Sequence, residues 1–280
     1  MQEQELDYQT VSGAWETLLQ AEAVFFDLDG CIYFSDRLAG GAKELLHFLE
    51  EKKKQIRFVT NNSTDSGVQV AARLSRMGLE VRPEHVMTAT ELVGLHLLKT
   101  YGKQTLKVIG SPSLHAALEQ YGHDVLPLDS TIQAQMVVVG RDTEFDYNKL
   151  QFLVEEADRG TPLLATNPDL THPGNRGQKV LETGALYAPV EAITRKKVDY
   201  FGKPAPYMFQ LTMEKCGIRS SKACVMVGDN LYTDIAGGSS SGMKTIWLYG
   251  PSGSSTIPID AVNPDYALQD LQTLADFNTK

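Results

Sequence analysis

The sequence predicts an α/β fold: a Rossmann-like, doubly wound parallel-sheet core with a second α/β domain inserted into it. Three observations predict it. Short apolar runs alternate with helical patterns almost throughout the 280 residues. Four of those runs end directly in a polar cluster: Ala23–Phe26 before Asp27-Leu28-Asp29-Gly30, Ile56–Val59 before Thr60-Asn61-Asn62-Ser63, Val198–Phe201 before Gly202-Lys203-Pro204, and Cys224–Val227 before Gly228-Asp229-Asn230. Finally, about 140 residues containing at least three strand-like runs separate Thr60 from Lys203. An insertion that rich in elements is expected to be a domain of its own. The core is accordingly expected from residues 1–86 and 199–280, and the inserted domain from 87–198.

Taken in order, residues 1–20 read as a loosely attached extension with a helix around Trp15 to Leu19. The run Ala23–Phe26 reads as a buried strand, because parallel strands covered on both faces are continuously apolar. Residues 41–54 place Leu45, Leu46, Phe48 and Leu49 on one helical face, with lysines in the last turn. A second helix over 65–77 is stopped by Gly78. Strands are predicted at 106–109, 136–139, 163–166 and 244–248, and helices at 113–121, 147–158, 205–216 and 233–240. Residues 250–258 are loop-like by composition.

Composition narrows the function classes. Hydrophobic content of 42% with 22% charged residues is globular. The longest apolar runs are about half the roughly 20 residues of a membrane span, and the acidic first twenty residues lack the basic start of a signal peptide. With 26 basic and 35 acidic residues the net charge is −9, and no basic stripe interleaves with aromatics, so neither a membrane nor a nucleic acid is an expected partner. Cys31, Cys216 and Cys224 form no metal-ligand pair, and cytoplasm is the simplest compartment.

Polar clusters at the C-terminal ends of parallel strands lie where open α/β sheets bind ligands. Asp27 and Asp29, two apart in a loop leaving a strand, can serve one ligand: one carboxylate attacks phosphorus, the other protonates the leaving oxygen and then activates water. Gly30 permits a sharp departure of the backbone. Asp229 and Asp234 follow another strand end, and acids from two such ends can jointly hold Mg²⁺. Thr60 and the amides after it, Asn61 and Asn62, can donate to phosphate oxygens, and Lys203 can neutralise a transferring phosphoryl group. Taken singly, Asp-x-Asp-Gly is also a surface turn, Asn and Ser are cap residues, and a lone lysine is more often solvated. Their conjunction, in this order and each after a strand, is what carries the reading.

These residues resemble the four signature motifs of the haloacid dehalogenase superfamily. Asp27-Leu28-Asp29-Gly30 matches the first, Thr60 the second, Lys203 the third, and Gly228-Asp229 with Asp234 the fourth. The resemblance implies that Asp27 is the nucleophile and Asp29 the general acid/base. It also implies that Mg²⁺ is held by Asp27, the Asp29 carbonyl and Asp229, with Asp234 in support. Val59–Ser63, Thr166-Asn167-Pro168-Asp169, Gly184-Ala185-Leu186, Gly202-Lys203-Pro204 and Pro264-Asp265-Tyr266 are similar to the NagD / p-nitrophenylphosphatase group. Its members carry an α/β cap between motifs two and three, dephosphorylate small phosphorylated metabolites, and often form homodimers through the cap. By the same resemblance Asn167, Asp169, His172 and Arg176 belong to the cap segment that selects the leaving group. One departure is Cys31, where the family usually has Thr or Val.

Other acid clusters explain less of the chain. A phosphoryl-accepting receiver-type signalling module also gathers acids, a hydroxyl and a lysine around Mg²⁺, but it is about half this length and has no insertion. A glycosyltransferase Asp-x-Asp leaves Thr60 and Lys203 without a role.

Overall fold

The computed structural model describes residues 2–174, 178–250 and 256–277, which divide between two compact units. The first comprises residues 1–60, 71–86 and 209–280, and the second 61–70 and 87–208.

The first unit is built on a six-stranded sheet ordered Tyr266–Leu268, Lys244–Leu248, Cys224–Gly228, Ala23–Phe26, Gln55–Thr60, with Val86–Thr88 at the edge where the chain passes to the second unit. Numbered along the chain and read from that edge, the order is 3-2-1-4-5-6, the doubly wound arrangement. The central strand Ala23–Phe26 is buried at every position and pairs in parallel with Cys224–Val227 on one side and Gln55–Phe58 on the other. Helix Ala42–Glu51 buries Leu45, Leu46 and Leu49, the face the sequence predicts.

Residues 2–20 depart from expectation. They form one helix, and Val11, Ala14, Trp15 and Leu18 are buried at helical spacing. Trp15 packs 4.7 Å from the Phe48 ring and 6.2 Å from Phe277, and the Thr17 hydroxyl donates to the Tyr266 oxygen at 3.1 Å. Residues 11–18 are therefore part of the core of their unit.

The second unit has a five-stranded sheet ordered Asp199–Tyr200, Leu163–Ala165, Met136–Val139, Thr105–Ile109, Asp124–Leu126, with every pairing parallel. In chain order this is 2-1-3-4-5, the other common doubly wound arrangement. Helices Tyr147–Arg159 and Thr183–Thr194 cover a core of Ile109, Val137, Val139, Leu153, Tyr187 and Val190. An antiparallel ribbon, Thr171–Pro173 with Lys179–Leu181, projects from this unit. The boundary expected at 199 is corrected here. Asp199–Tyr200 pairs with Leu164–Ala165, so the chain leaves the second unit only after residue 208. Among the described residues, no helix is long and apolar enough to cross a membrane.

Candidate active site

In the first unit, the strand order reverses between Ala23–Phe26 and Cys224–Gly228, which opens a crevice beyond their carboxyl ends. Phe26 pairs with Val227, and the Asp27 amide donates to the Val227 carbonyl at 2.9 Å, extending the ladder by one residue. Asp27 and Asp229 thus leave adjacent strands together. Asp234 is brought back by a π-helical turn over Leu231–Ile235, of a kind often found at functional sites. The Asn230 amide donates to Asp234 Oδ2 at 3.1 Å, and the Asn230 side chain accepts from the Tyr232 amide at 2.9 Å. Trp247 Nε1 donates to the Asp229 carbonyl at 2.9 Å, fixing the backbone from the next strand.

The result is a cluster in which carboxylate oxygens of Asp27, Asp229 and Asp234 lie within 4.8 Å of one another. Asp27 and Asp234 are buried and Asp229 is exposed. Three converging carboxylates would repel one another without a cation, and an all-oxygen donor set suits a hard divalent ion such as Mg²⁺. Gly30 preserves the arrangement. Its φ is +88°, and a Cβ there would stand 2.3 Å from Asp229 Oδ2.

Asp29 is exposed on a tight turn in which the Leu28 carbonyl accepts from the amides of Cys31, Ile32 and Tyr33 at 3.2, 2.9 and 3.1 Å. That turn brings the Tyr33 hydroxyl to Asp29 Oδ2, to which it donates at 2.5 Å. Arg73 Nη2 donates to the same phenol oxygen at 2.9 Å. Burial, and after it the Asp29 charge, pushes the Tyr33 phenol far above its ordinary value, so it remains a neutral donor. Cys31 is buried, with its thiol 3.7 Å from the Val227 carbonyl, a packing position beside Asp27. Thr60 is buried at the end of the strand that flanks Ala23–Phe26.

The second unit assembles its own group. Lys203 is only 2% exposed, and its backbone is clasped by the side chain of Asn61. Asn61 Oδ1 accepts from the Lys203 amide at 2.8 Å, while Asn61 Nδ2 donates to the Lys203 carbonyl at 2.9 Å and to Asp169 Oδ2 at 2.8 Å. Asn167 Nδ2 donates to the Asn61 carbonyl at 2.8 Å, and Asn167 Oδ1 accepts from the Asp169 amide at 3.1 Å. Asn61, Asn167, Asp169 and Lys203 are therefore one hydrogen-bonded network. Gly202 permits it, since a Cβ there would meet Asn61 Oδ1 at 2.6 Å. The Asn62 side chain caps the following turn, accepting from the amides of Thr64 and Asp65 at 2.9 and 2.7 Å. The amide groups of both asparagines are thus engaged in holding the chain.

His172 stands on the ribbon, with Nδ1 2.6 Å from Glu182 Oε1. Arg141 lies 3.6 Å from the same oxygen, and burial raises the Glu182 carboxyl above its ordinary range against the opposing pull of Arg141 and His172. Arg176 lies outside the described residues. Tyr33, Arg73, Arg141 and Glu182 escaped the sequence reading. Each is a single polar residue outside every motif, and they meet partners remote in the chain: Arg73 reaches Tyr33 across 40 residues and Arg141 reaches Glu182.

Comparison with known proteins identifies the family. A family model described as haloacid dehalogenase-like hydrolase matches residues 24–124, and a second, HAD-hydrolase-like, matches 200–274. An acid sugar phosphatase of Staphylococcus aureus is 30% identical over 253 residues, 90% of this chain and 96% of the relative. The crystal structure of a 4-nitrophenylphosphatase from Thermotoga maritima superimposes with a TM-score of 0.82 at 33% identity, covering 93% of this chain and 98% of that one. NagD from Escherichia coli K-12 does so with a TM-score of 0.80 at 26% identity, covering 90% and 98%. A signalling module without turnover is set aside by these relatives. With the acids at the sheet's switch point and kinship along nearly its whole length, the chain belongs to the haloacid dehalogenase-like hydrolases, in their NagD-like group of phosphatases.

Proposed function

We propose that the protein is a Mg²⁺-dependent phosphomonoesterase that works through an aspartyl-phosphate on Asp27, with Asp29 as general acid and base. The observation that carries the reading is the three-carboxylate cluster at the switch point, with a fourth carboxylate two residues after the first. Asp27, the Asp29 carbonyl and Asp229, with Asp234 in support, would hold Mg²⁺, which would offset the repulsion between a carboxylate nucleophile and a phosphate dianion. Asp27 attacks phosphorus. The bond to the leaving oxygen breaks, the electron pair stays on that oxygen, and Asp29 supplies its proton. Asp29 then takes a proton from water as the water oxygen attacks the phosphoryl group, and the bond to Asp27 breaks, returning the carboxylate.

The Thr60 hydroxyl donates to a phosphoryl oxygen in this reading, and Lys203 balances charge on the transferring group. Asn61 follows Thr60 in the chain and clasps Lys203, so its role is to position that lysine. The phosphate contact offered by Asn62 comes from its backbone, since its side chain is the turn's cap. Asn167, Asp169, His172 and Arg176 select the leaving group, a sugar, nucleotide or similar metabolite. That class is consistent with relatives named for sugar phosphates and 4-nitrophenyl phosphate. Three free cysteines suit a reducing cytoplasm, and the resemblance extends to a homodimer through the inserted domain. Phosphate release over a panel of phosphorylated metabolites tests the reading. Turnover is expected with Mg²⁺ and none with EDTA, and metal-independent release would overturn it.

A further inference from the structure

Asp29 is exposed and sits on a turn, yet a general acid must be held to within a fraction of an ångström of its working position. Among the described residues, the Tyr33 hydroxyl holds its carboxylate. Tyr33 is 1% exposed, and its hydroxyl bridges Asp29 Oδ2 at 2.5 Å and Arg73 Nη2 at 2.9 Å. The direction of the bridge follows from the donor inventory. A guanidinium has no acceptor, so the phenol oxygen receives a hydrogen from Arg73 and its own hydrogen goes to Asp29. The Arg73 guanidinium carbon also lies 5.3 Å from the Tyr33 ring centroid, bracing the ring from helix Gly67–Arg76.

We infer that Tyr33, braced by Arg73, is the positioning residue for Asp29, engaging Oδ2 so that Oδ1 exchanges the proton with the leaving oxygen and with water. This rests on Asp29 being the general acid. A tyrosine that served only to fill the core would make the same packing contacts without any bearing on which leaving groups the enzyme expels.

The experiment compares kcat/KM for a poor leaving group, a simple alkyl phosphate, with that for 4-nitrophenyl phosphate, whose leaving oxygen departs without a proton. Because kcat/KM reports only the steps through leaving-group departure, later hydrolysis of the intermediate does not enter. Tyr33→Phe, which keeps the ring, is expected to lower kcat/KM on the alkyl phosphate by about ten- to a hundredfold. On 4-nitrophenyl phosphate it changes by less than about threefold, with KM for both within about twofold. Arg73→Met is expected to show the same selectivity at about threefold to tenfold, and serves alone if Tyr33→Phe fails to fold. Equal losses on both substrates, or none, in the variants that fold would overturn the inference. Asp29→Asn separates the two failures. A selective loss of about 10²- to 10⁴-fold there, without one in Tyr33→Phe or Arg73→Met, rejects positioning alone. No selective loss in Asp29→Asn rejects the acid assignment and the positioning role with it.

Discussion

Both units are doubly wound sheets, and each has a switch point where strand order reverses. In the first it lies between Ala23–Phe26 and Cys224–Gly228, and in the second between Thr105–Ile109 and Met136–Val139. The first is followed by Asp27 and Asp229, the second by Gly110-Ser111 and Gly140-Arg141. A groove of about 740 Å³ opens at the second, lined by Ser111, His115, Arg141, Asp142 and Lys149. Of its charged side chains, Lys149 meets Asp142 at 2.7 Å and Arg141 lies 3.6 Å from Glu182. Among the described residues, the three-acid cluster of the first unit has no counterpart there. Topology therefore supplies the crevice, and the two or three residues after each strand decide whether it can hold a cation and a phosphate.

The sharpest way to break this contrast is Asp27→Asn. Phosphatase activity should fall by about 10⁴-fold or more, with melting temperature unchanged or raised as like-charge repulsion is relieved. Retained turnover would dissolve the distinction between the crevices. Next in size, Asp234→Asn should weaken Mg²⁺ binding by about ten- to a hundredfold, read by calorimetry and by the Mg²⁺ concentration that restores activity. Gly30→Ala comes third: strain at φ +88° together with the clash on Asp229 should cost about 1–2 kcal/mol of stability by denaturant melts and reduce activity as well.

Two substitutions in the second unit, away from Lys203, should be read out by stability. Glu182 is held above the ordinary glutamate value of 4.5, chiefly by burial. Its contribution is complete below that pH and is lost as pH rises through the raised value, so stability should decline over that interval. Glu182→Gln should flatten the dependence of melting temperature on pH there. An unchanged slope would locate the pH response elsewhere. Smallest, Ser111→Ala removes the cap on Pro112–Gln120, where the hydroxyl accepts from the Leu114 amide at 3.2 Å. About 1 kcal/mol should be lost with kcat unchanged.

Asp27, Asp229 and Asp234 were legible in the sequence because each follows a continuously apolar strand, and that pattern depends on local periodicity. The sheet a strand joins is not local information. Val198–Phe201 reads like the other three runs, yet its ordered pairs lie in the second sheet. Helix Ala89–Tyr101 was missed because Ala89, Leu92, Val93, Gly94, His96 and Leu97 are all buried, leaving no single apolar stripe to detect. Helix Thr183–Thr194 was hidden by Pro189 inside it. Three-residue strands such as Val86–Thr88 and Tyr266–Leu268 are too short to show alternation. Arg73 and Tyr33 meet across 40 residues, a pairing that only folding reveals.

The docking of Trp15 between Phe48 and Phe277 has a consequence for biogenesis. A nascent polypeptide emerging from the ribosome can finish the contiguous stretch 87–208 early, whereas the aspartate-bearing unit must wait until residue 277 has been translated. Until then the indole of Trp15 has Phe48 but lacks its Phe277 neighbour, which gives C-terminal truncations a reason to misfold.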